Sequence, residues 1–207
     1  MITALYEISP LNLALSATVI AILSVILAAL DLAAESWANP LDHTIGHYII
    51  RHRTITQTYF MQQLSWLGGP FGISLVIFFS LLFLVESAQL QVAGIFTAVI
   101  TASIVYVLGM KLLTARKRPT WRVLERERTY SFPSAHSLIS TTVYGSVFVI
   151  FFHATNSWLP ILFITCLLIG IAISRVYLGC HYVSDVIAGI IGGTVWVYIF
   201  AHLLYSL

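Results

Sequence analysis

Apolar positions along the chain fall in long unbroken runs, not in the alternation of a half-buried strand. Six runs are long enough to cross hydrocarbon. The first, 11–30, follows Pro10 and stops at Asp31. The next two, 64–85 and 92–110, stop at Glu86 and Lys111. The fourth, 137–152, is short and rich in hydroxyls; 158–174 stops at Arg175, and 186–204 carries His202 in its last turn. Only helices and closed barrels satisfy their backbone in lipid, and continuous hydrophobicity selects helices. The pattern predicts an all-α integral membrane bundle of six transmembrane helices, a single domain over 1–207 without repeats or linkers. The first run is too long for a signal peptide and no basic residue precedes it, so Ser36-Trp37-Ala38 is not expected to be cleaved.

Composition agrees with the pattern. Apolar residues make up 59% of the 207, and only 10 basic and 8 acidic residues are present, against about 50 charges in a soluble domain of this length. Mean hydropathy is +0.93. These values exclude a soluble enzyme and a disordered chain, and a net charge of +2 is too small to steer a nucleic acid. Two cysteines, Cys166 and Cys180, make neither a disulfide framework nor a four-ligand metal site. The placement of charge says more than its sum. All ten basic residues lie in 31–63, in 111–136 and at Arg175, while links 86–91 and 153–157 and both termini carry none. With an even number of spans, every cation falls on one membrane face. That face is built to meet anions.

Residues 111–136 are the most polar stretch, with Lys111, Arg116, Lys117, Arg118, Arg122, Arg126 and Arg128. Glu125 and Glu127 interleave with the last three cations, which reads as a solvated loop or a patch on anionic head groups. Lys111 and Arg118 fit that reading less well, because Pro119 fixes the backbone directly after Arg118. Alone, the stretch leaves a phosphate site and a lipid-surface patch equally open. Next, Phe132-Pro133-Ser134-Ala135-His136 opens the fourth run. Ser134 is placed as an N-cap, and a helix start offers free N–H groups to an anion. His136 is either an interfacial, hydrogen-bonded side chain or a proton carrier near neutral pH. Finally, His181 and Asp185 stand four apart after Ser174-Arg175, so on a helix they share a face. A carboxylate that accepts the Nδ1 proton would leave Nε2 free as nucleophile or ligand. Asp185 is the only acid after Glu127, and an ionisable group at membrane depth marks function.

Lys111 and Arg118-Pro119 with six residues between, then Pro133-Ser134-Ala135-His136, then Ser174-Arg175, His181 and Asp185 come in a distinctive order. The set resembles the type 2 phosphatidic acid phosphatase family of membrane lipid phosphatases, which shares its site with acid phosphatases and vanadium haloperoxidases. The likeness covers about residues 60–205. It departs at Ala135, where the family usually has Gly; a need for positive φ or close approach would make Ala a hindrance. The resemblance implies that His181 attacks phosphorus to form a phosphohistidine while Asp185 holds its ring. It implies that His136 protonates the leaving oxygen and then activates water. Lys111, Arg118 and Arg175 would neutralise the equatorial oxygens, with hydrogen bonds from Ser134 and the N–H groups near Ala135. Three fixed cations take the place of a metal, so no cofactor is implied.

The implied substrates are undecaprenyl diphosphate, phosphatidylglycerophosphate and phosphatidic acid, which the motifs do not rank. A lipid A phosphatase or a lipid phosphotransferase would use the same site. An anion transporter, the reading from another class, predicts cations lining the membrane interior, whereas these gather at one boundary. The expected partners are a lipid phosphate and membrane lipids, with nothing said of oligomers. The short chain suits a bacterial inner-membrane protein. Counting Lys and Arg puts the basic face in the cytoplasm, whereas bacterial members of the family generally put the site outside. The second placement is the expectation, since a phosphate site constrains these loops independently of insertion.

Other features have plainer readings. His43 and His47, with His52 beyond, have Asp42 as the only nearby acid, too few ligands for a metal. A surface amphipathic helix is expected there, with Tyr48, Ile49 and Ile50 in lipid and Arg51 and Arg53 in water. Gly68-Gly69-Pro70 breaks a helix, and Gly189, Gly192 and Gly193 permit close helix packing. Cys166 and Cys180 are expected to be inert packing residues. Trp66, Tyr130, Trp158 and Tyr205 suit an aromatic belt.

Overall fold

The computed structural model describes residues 10–33, 39–125 and 127–207. Ser36-Trp37-Ala38 and Arg126 lie outside the described residues. The described chain forms α1 (Pro10–Ala33), α2 (Asn39–Arg51), α3 (Ile55–Gly68), α4 (Pro70–Glu86), α5 (Leu90–Thr114), α6 (Ala135–Thr155), α7 (Pro160–Tyr177) and α8 (Val183–Leu204). No strand occurs among the described residues. Four helices, α5 to α8, are long and apolar enough to cross a membrane, and α3 with α4, bent by 46° between them, makes a fifth where the pair counts as one span. In α1 the described residues Ala14–Ser24 form a shorter apolar helix. The helical membrane architecture holds, with four or five crossings against the six expected.

The bend falls within the run expected as one span, 64–85. Gly69 is extended, at φ −82° and ψ 171°, and closes α3 by donating its N–H to Trp66 O at 3.1 Å. Pro70 then starts α4. A proline disfavours the α region in the residue before it, so the helix stops and restarts in a new direction. Hydrophobic runs also underestimate helix length. They end at the first charge, but backbone hydrogen bonding does not: α5 continues through Lys111 until Ala115 caps it in the left-handed region at φ 48°. Lys111 therefore sits in the last turn of α5.

α6 and α8 pack face to face at the centre of the bundle, and two glycines set their distance. A Cβ on Gly193 would lie 2.5 Å from the Thr141 Cβ, and one on Gly189 would lie 2.7 Å from Ser134 O. The close approach, expected from the glycine spacing, brings the first turn of α8 against the start of α6, where Ser134 N donates to Asp185 O at 3.0 Å. Around this pair Phe96 meets Phe200, and Tyr106 meets Trp196, edge to face at 5.9 Å in each case.

The surface helix expected near His43 is α2, but two of its details differ. Ile49 packs toward Val176, Leu178 and Cys180 instead of facing lipid. Arg53 is not free in water: Nη1 donates to Arg122 O at 2.6 Å, Nη2 donates to Tyr177 O, and the guanidinium lies 5.5 Å from the Tyr177 ring centre. The last carbonyls of a helix have no partner within it, and Arg53 supplies one at the end of α7. Gly193→Val should force α6 and α8 apart, costing about 1–3 kcal/mol as overpacking does. A thermal-unfolding midpoint in detergent no lower than wild type would contradict this packing.

Candidate active site

The C-termini of α5 and α7 and the N-termini of α6 and α8 meet at one end of the bundle, roofed by the loop 115–134. That loop is tied down by Ser131 N to Arg116 O and Leu124 N to Leu178 O, both 2.9 Å. Beneath it the structure gathers the residues singled out from the sequence. His181 and Asp185 are both buried, at 1% and 0% exposure, and His181 Nδ1 lies 3.3 Å from Asp185 Oδ2. The contact does not arise as expected, because His181 precedes α8 and does not share a helical face with Asp185. Asp185 sits in the first turn and accepts Tyr182 N at 2.9 Å, folding the chain back so that the imidazole reaches it. The other ring nitrogen, Nε2, faces Arg118 Nη1 at 3.1 Å.

Arg118 donates to Thr129 O at 2.6 Å through Nε and to Cys180 O at 2.8 Å through Nη1. Arg175, at the end of α7 and 1% exposed, donates to Ser65 Oγ and, at 3.1 Å, to Glu125 Oε2. Lys111 donates its amine to Tyr130 O at 2.5 Å, the same carbonyl that Arg118 Nη2 approaches at 3.1 Å. Lys111 thus joins the cluster through the loop backbone.

Ser134 caps α6 as expected, accepting Ser137 N at 3.4 Å and Ser137 Oγ–H at 3.1 Å. Ala135 is the first residue of α6 and is not in the left-handed region, so this position needs no glycine for its φ.

Three groups were not picked out from the sequence. Glu127, expected in a solvated loop, stands at the middle of the cluster. Its Oε2 accepts Arg118 Nη2 at 2.6 Å, its Oε1 accepts Arg175 Nη2, and His136 Nδ1 and His181 Nε2 lie 3.5 and 3.7 Å away. Burial alone would raise its carboxyl, but the hydrogen bond and charge of His181, with Arg175 and Arg118, hold it well below the usual carboxylate range. Glu125 is likewise turned inward to Arg175. The only hint was two acids inside a run of cations.

Arg116 and Asp42 form the third feature. Arg116 Nη1 donates to Asp185 Oδ1 at 2.6 Å, and Nη2 donates to Asp42 Oδ2 at 3.0 Å. In the sequence Asp42 offers only one acid beside His43 and His47. Among the described residues no cluster of three metal-ligating side chains occurs. His43 and His47 instead pack on Trp121, at ring distances of 4.8 and 5.0 Å. Cys180 is buried, its Sγ near Glu125 O at 3.4 Å, and burial pushes its thiol up to about 11. Cys166 faces outward from α7.

The arrangement sets two imidazoles beside the Glu127 carboxylate, which the guanidiniums of half-buried Arg118 and buried Arg175 hold. A tetrahedral oxyanion would meet fixed donors there without a metal ion. A family model described as the PAP2 superfamily matches residues 91–206. Phosphatidylglycerophosphatase B of Bacillus subtilis (strain 168) is 33% identical over 79 residues, 36% of this chain and 39% of that protein. The chain thus matches about two-fifths of that relative's length. In overall fold the chain resembles the crystal structure of the transmembrane PAP2-type phosphatidylglycerolphosphate phosphatase from Bacillus subtilis. That likeness has a TM-score of 0.75 and 22% identity, over 87% of this chain and 93% of that one. Aquifex aeolicus LpxE matches with a TM-score of 0.62 and 19% identity, over 80% and 95% of the two chains.

A phosphate binding to Arg118 and Arg175 must compete with Glu127 for the same donors. A charge-assisted hydrogen bond contributes about 1.5–3 kcal/mol, so Glu127→Gln should tighten inhibition by inorganic phosphate or vanadate about tenfold. An unchanged inhibition constant at neutral pH would show that the carboxylate does not contend for the site.

Proposed function

The chain belongs to the PAP2 superfamily, and from that premise we propose that it is a metal-independent phosphatase acting on a lipid phosphate or diphosphate. The observation that carries the reading is the placement of His181. Asp185 sits at Nδ1, so the nucleophilic lone pair belongs to Nε2, which faces the guanidinium of Arg118. In the proposed reaction Nε2 attacks phosphorus, the bond from phosphorus to the leaving oxygen breaks, and His136 gives that oxygen its proton. His136 then takes a proton from water as the water oxygen attacks the phosphohistidine, and the P–N bond breaks to release phosphate. Asp185 balances the charge on the histidine. Arg118, Arg175 and Lys111 draw off the charge of the equatorial oxygens, with Ser134 and the N–H groups at Ala135 closing the base of the site.

The substrate class we propose is a membrane lipid bearing a terminal phosphate: undecaprenyl diphosphate, phosphatidylglycerophosphate or phosphatidic acid. The name of the Bacillus relative favours the second. The lipid chain would lie between helices while its head group meets the basic face. Purified protein should release phosphate from such a panel equally well with and without EDTA, and should be inhibited by vanadate. His181→Ala should abolish release and remove an acid-labile, base-stable phosphoenzyme. Loss of activity in chelator, restored by Mg²⁺ or Zn²⁺, would sink the metal-independent mechanism.

We further propose a single domain with α1 as a sixth span, in a bacterial inner membrane, with the site on the outer face. The cation count opposes that orientation, but much of the count has another cause. Of the described cations, Lys111, Arg116, Arg118 and Arg175 are held in the site, and Arg53 caps α7. They are required by the fold and the chemistry, so they are weak evidence about insertion. A cysteine placed at residue 120 should therefore react with an impermeant maleimide in intact cells, and one at 206 only after permeabilisation. The reverse pattern would put the site in the cytoplasm.

A further inference from the structure

The contacts behind Asp185 lead out of the site to the surface helix α2. Asp42 lies in the first turn of α2 and is 2% exposed. Its Oδ2 accepts Arg116 Nη2 at 3.0 Å and Ser184 Oγ–H at 2.6 Å, and its Oδ1 accepts Ser184 N at 3.0 Å. Arg116 Nη1 reaches Ser184 Oγ at 2.8 Å and Asp185 Oδ1 at 2.6 Å, with the guanidinium 4.5 Å from the Tyr182 ring centre. Asp185 gives its second oxygen to Ser131 Oγ–H at 2.5 Å, to Tyr182 N, and to His181 Nδ1. A continuous path of direct contacts thus runs from Asp42 through Arg116 and Asp185 to His181.

We propose that Asp42 is a positioning residue for the phosphoryl transfer carried out at His181. The argument is one of charge as well as geometry. Arg116 alone beside Asp185 would cancel the negative charge that His181 needs when it becomes cationic on attacking phosphorus. Asp42 supplies a second carboxylate, so Arg116 holds the Asp185 carboxylate in place while the triad keeps a net charge of about −1, formal charges being counted. The four groups, His181 included, then sum to neutrality in the intermediate. Ser184, the second residue of α8, fixes Asp42 to the helix that carries Asp185. Asp42 lies outside residues 91–206 matched by the family model, so α2 becomes part of the catalytic unit through this chain's own contacts.

The proposal rests on the phosphatase reading above. Its test is steady-state turnover of a lipid phosphate in detergent by wild type, Asp42→Asn and Asp42→Glu, per mole of sites counted by phosphoenzyme trapping. Asp42→Asn keeps the shape and two hydrogen-bonding groups but loses the charge. It should lower kcat at least tenfold with KM within twofold, the loss of one charge-assisted contact (about 1.5–3 kcal/mol). Asp42→Glu, which restores the charge, should recover most of kcat. Ser184→Ala provides a milder variant that retains every charge, and should lower kcat less than Asp42→Asn does. If Asp42→Asn is as active per site as wild type, or if kcat falls equally in the Asn and Glu variants, Asp42 has only a packing role. If wild type itself releases no phosphate from any lipid phosphate, the proposed function fails instead, and the two failures are distinct.

Discussion

The site is organised by one constraint: Asp185 is a carboxylate with no exposed surface, and every one of its lone pairs must find a donor. An uncompensated buried charge costs several kcal/mol, so the chain around it is arranged to supply partners. Oδ1 takes Arg116, and Oδ2 takes Ser131, Tyr182 N and His181. Those partners come from the loop 115–134 and from the turn that precedes α8, so neither segment can move without leaving the charge unpaired. Arg116 is itself buried and needs Asp42, which brings in α2. The glycines of α8 serve the same end, because only a small residue at Gly189 lets the start of α6 lie against the turn that carries Asp185.

A second set of charges is layered over the first, and its logic is the opposite. Arg118 and Arg175 are like charges held near one another in a partly desolvated place. Glu127, bonded to both, and Glu125, bonded to Arg175, compensate them. Fixed cations with matched counter-ions can receive a transferring phosphoryl group with little reorganisation, which is the main electrostatic contribution a protein makes to such chemistry. In the proposed mechanism a cluster of this kind would exchange an internal carboxylate for the substrate's oxyanion. The carboxylate would then set how tightly phosphate is held, and by the same measure how readily product leaves.

How much of this was legible in the sequence depended on the range of the interaction. The helices of the bundle could be read from continuous hydrophobic runs, since lipid leaves the backbone no alternative. The cap at Ser134 and the glycine contact between α6 and α8 follow from local spacing, whereas His181 reaches Asp185 through the turn before α8 and not across a helical face. The bend at Gly69 was signalled by Gly68-Gly69-Pro70, but its position inside a span was not, because hydropathy averages across it. Glu127 and Asp42 could not be read. Each matters through partners 48 and 74 residues away, and a lone acid in a basic loop or on a surface helix has the same local pattern whether it faces water or an arginine. Arg53 was misjudged for the same reason, since nothing beside it in the chain announces the carbonyls of α7 that it caps.

The direction of the helices decides which charges this end of the bundle can hold. Antiparallel neighbours bring the N-termini of α6 and α8 together with the C-termini of α5 and α7. Helix N-termini carry partial positive charge, and C-termini partial negative charge. The cations Lys111 and Arg175 lie in the last turns of α5 and α7, where the helix dipoles favour them. Asp185 lies in the first turn of α8, where the dipole favours a carboxylate. Lys111, Arg175 and Asp185 thus each stand on the helix end that stabilises them. A bundle of reversed direction, carrying the same side chains at the other ends of its helices, would set every one of these charges against its dipole. The site therefore depends on which way the helices run as much as on which residues they carry.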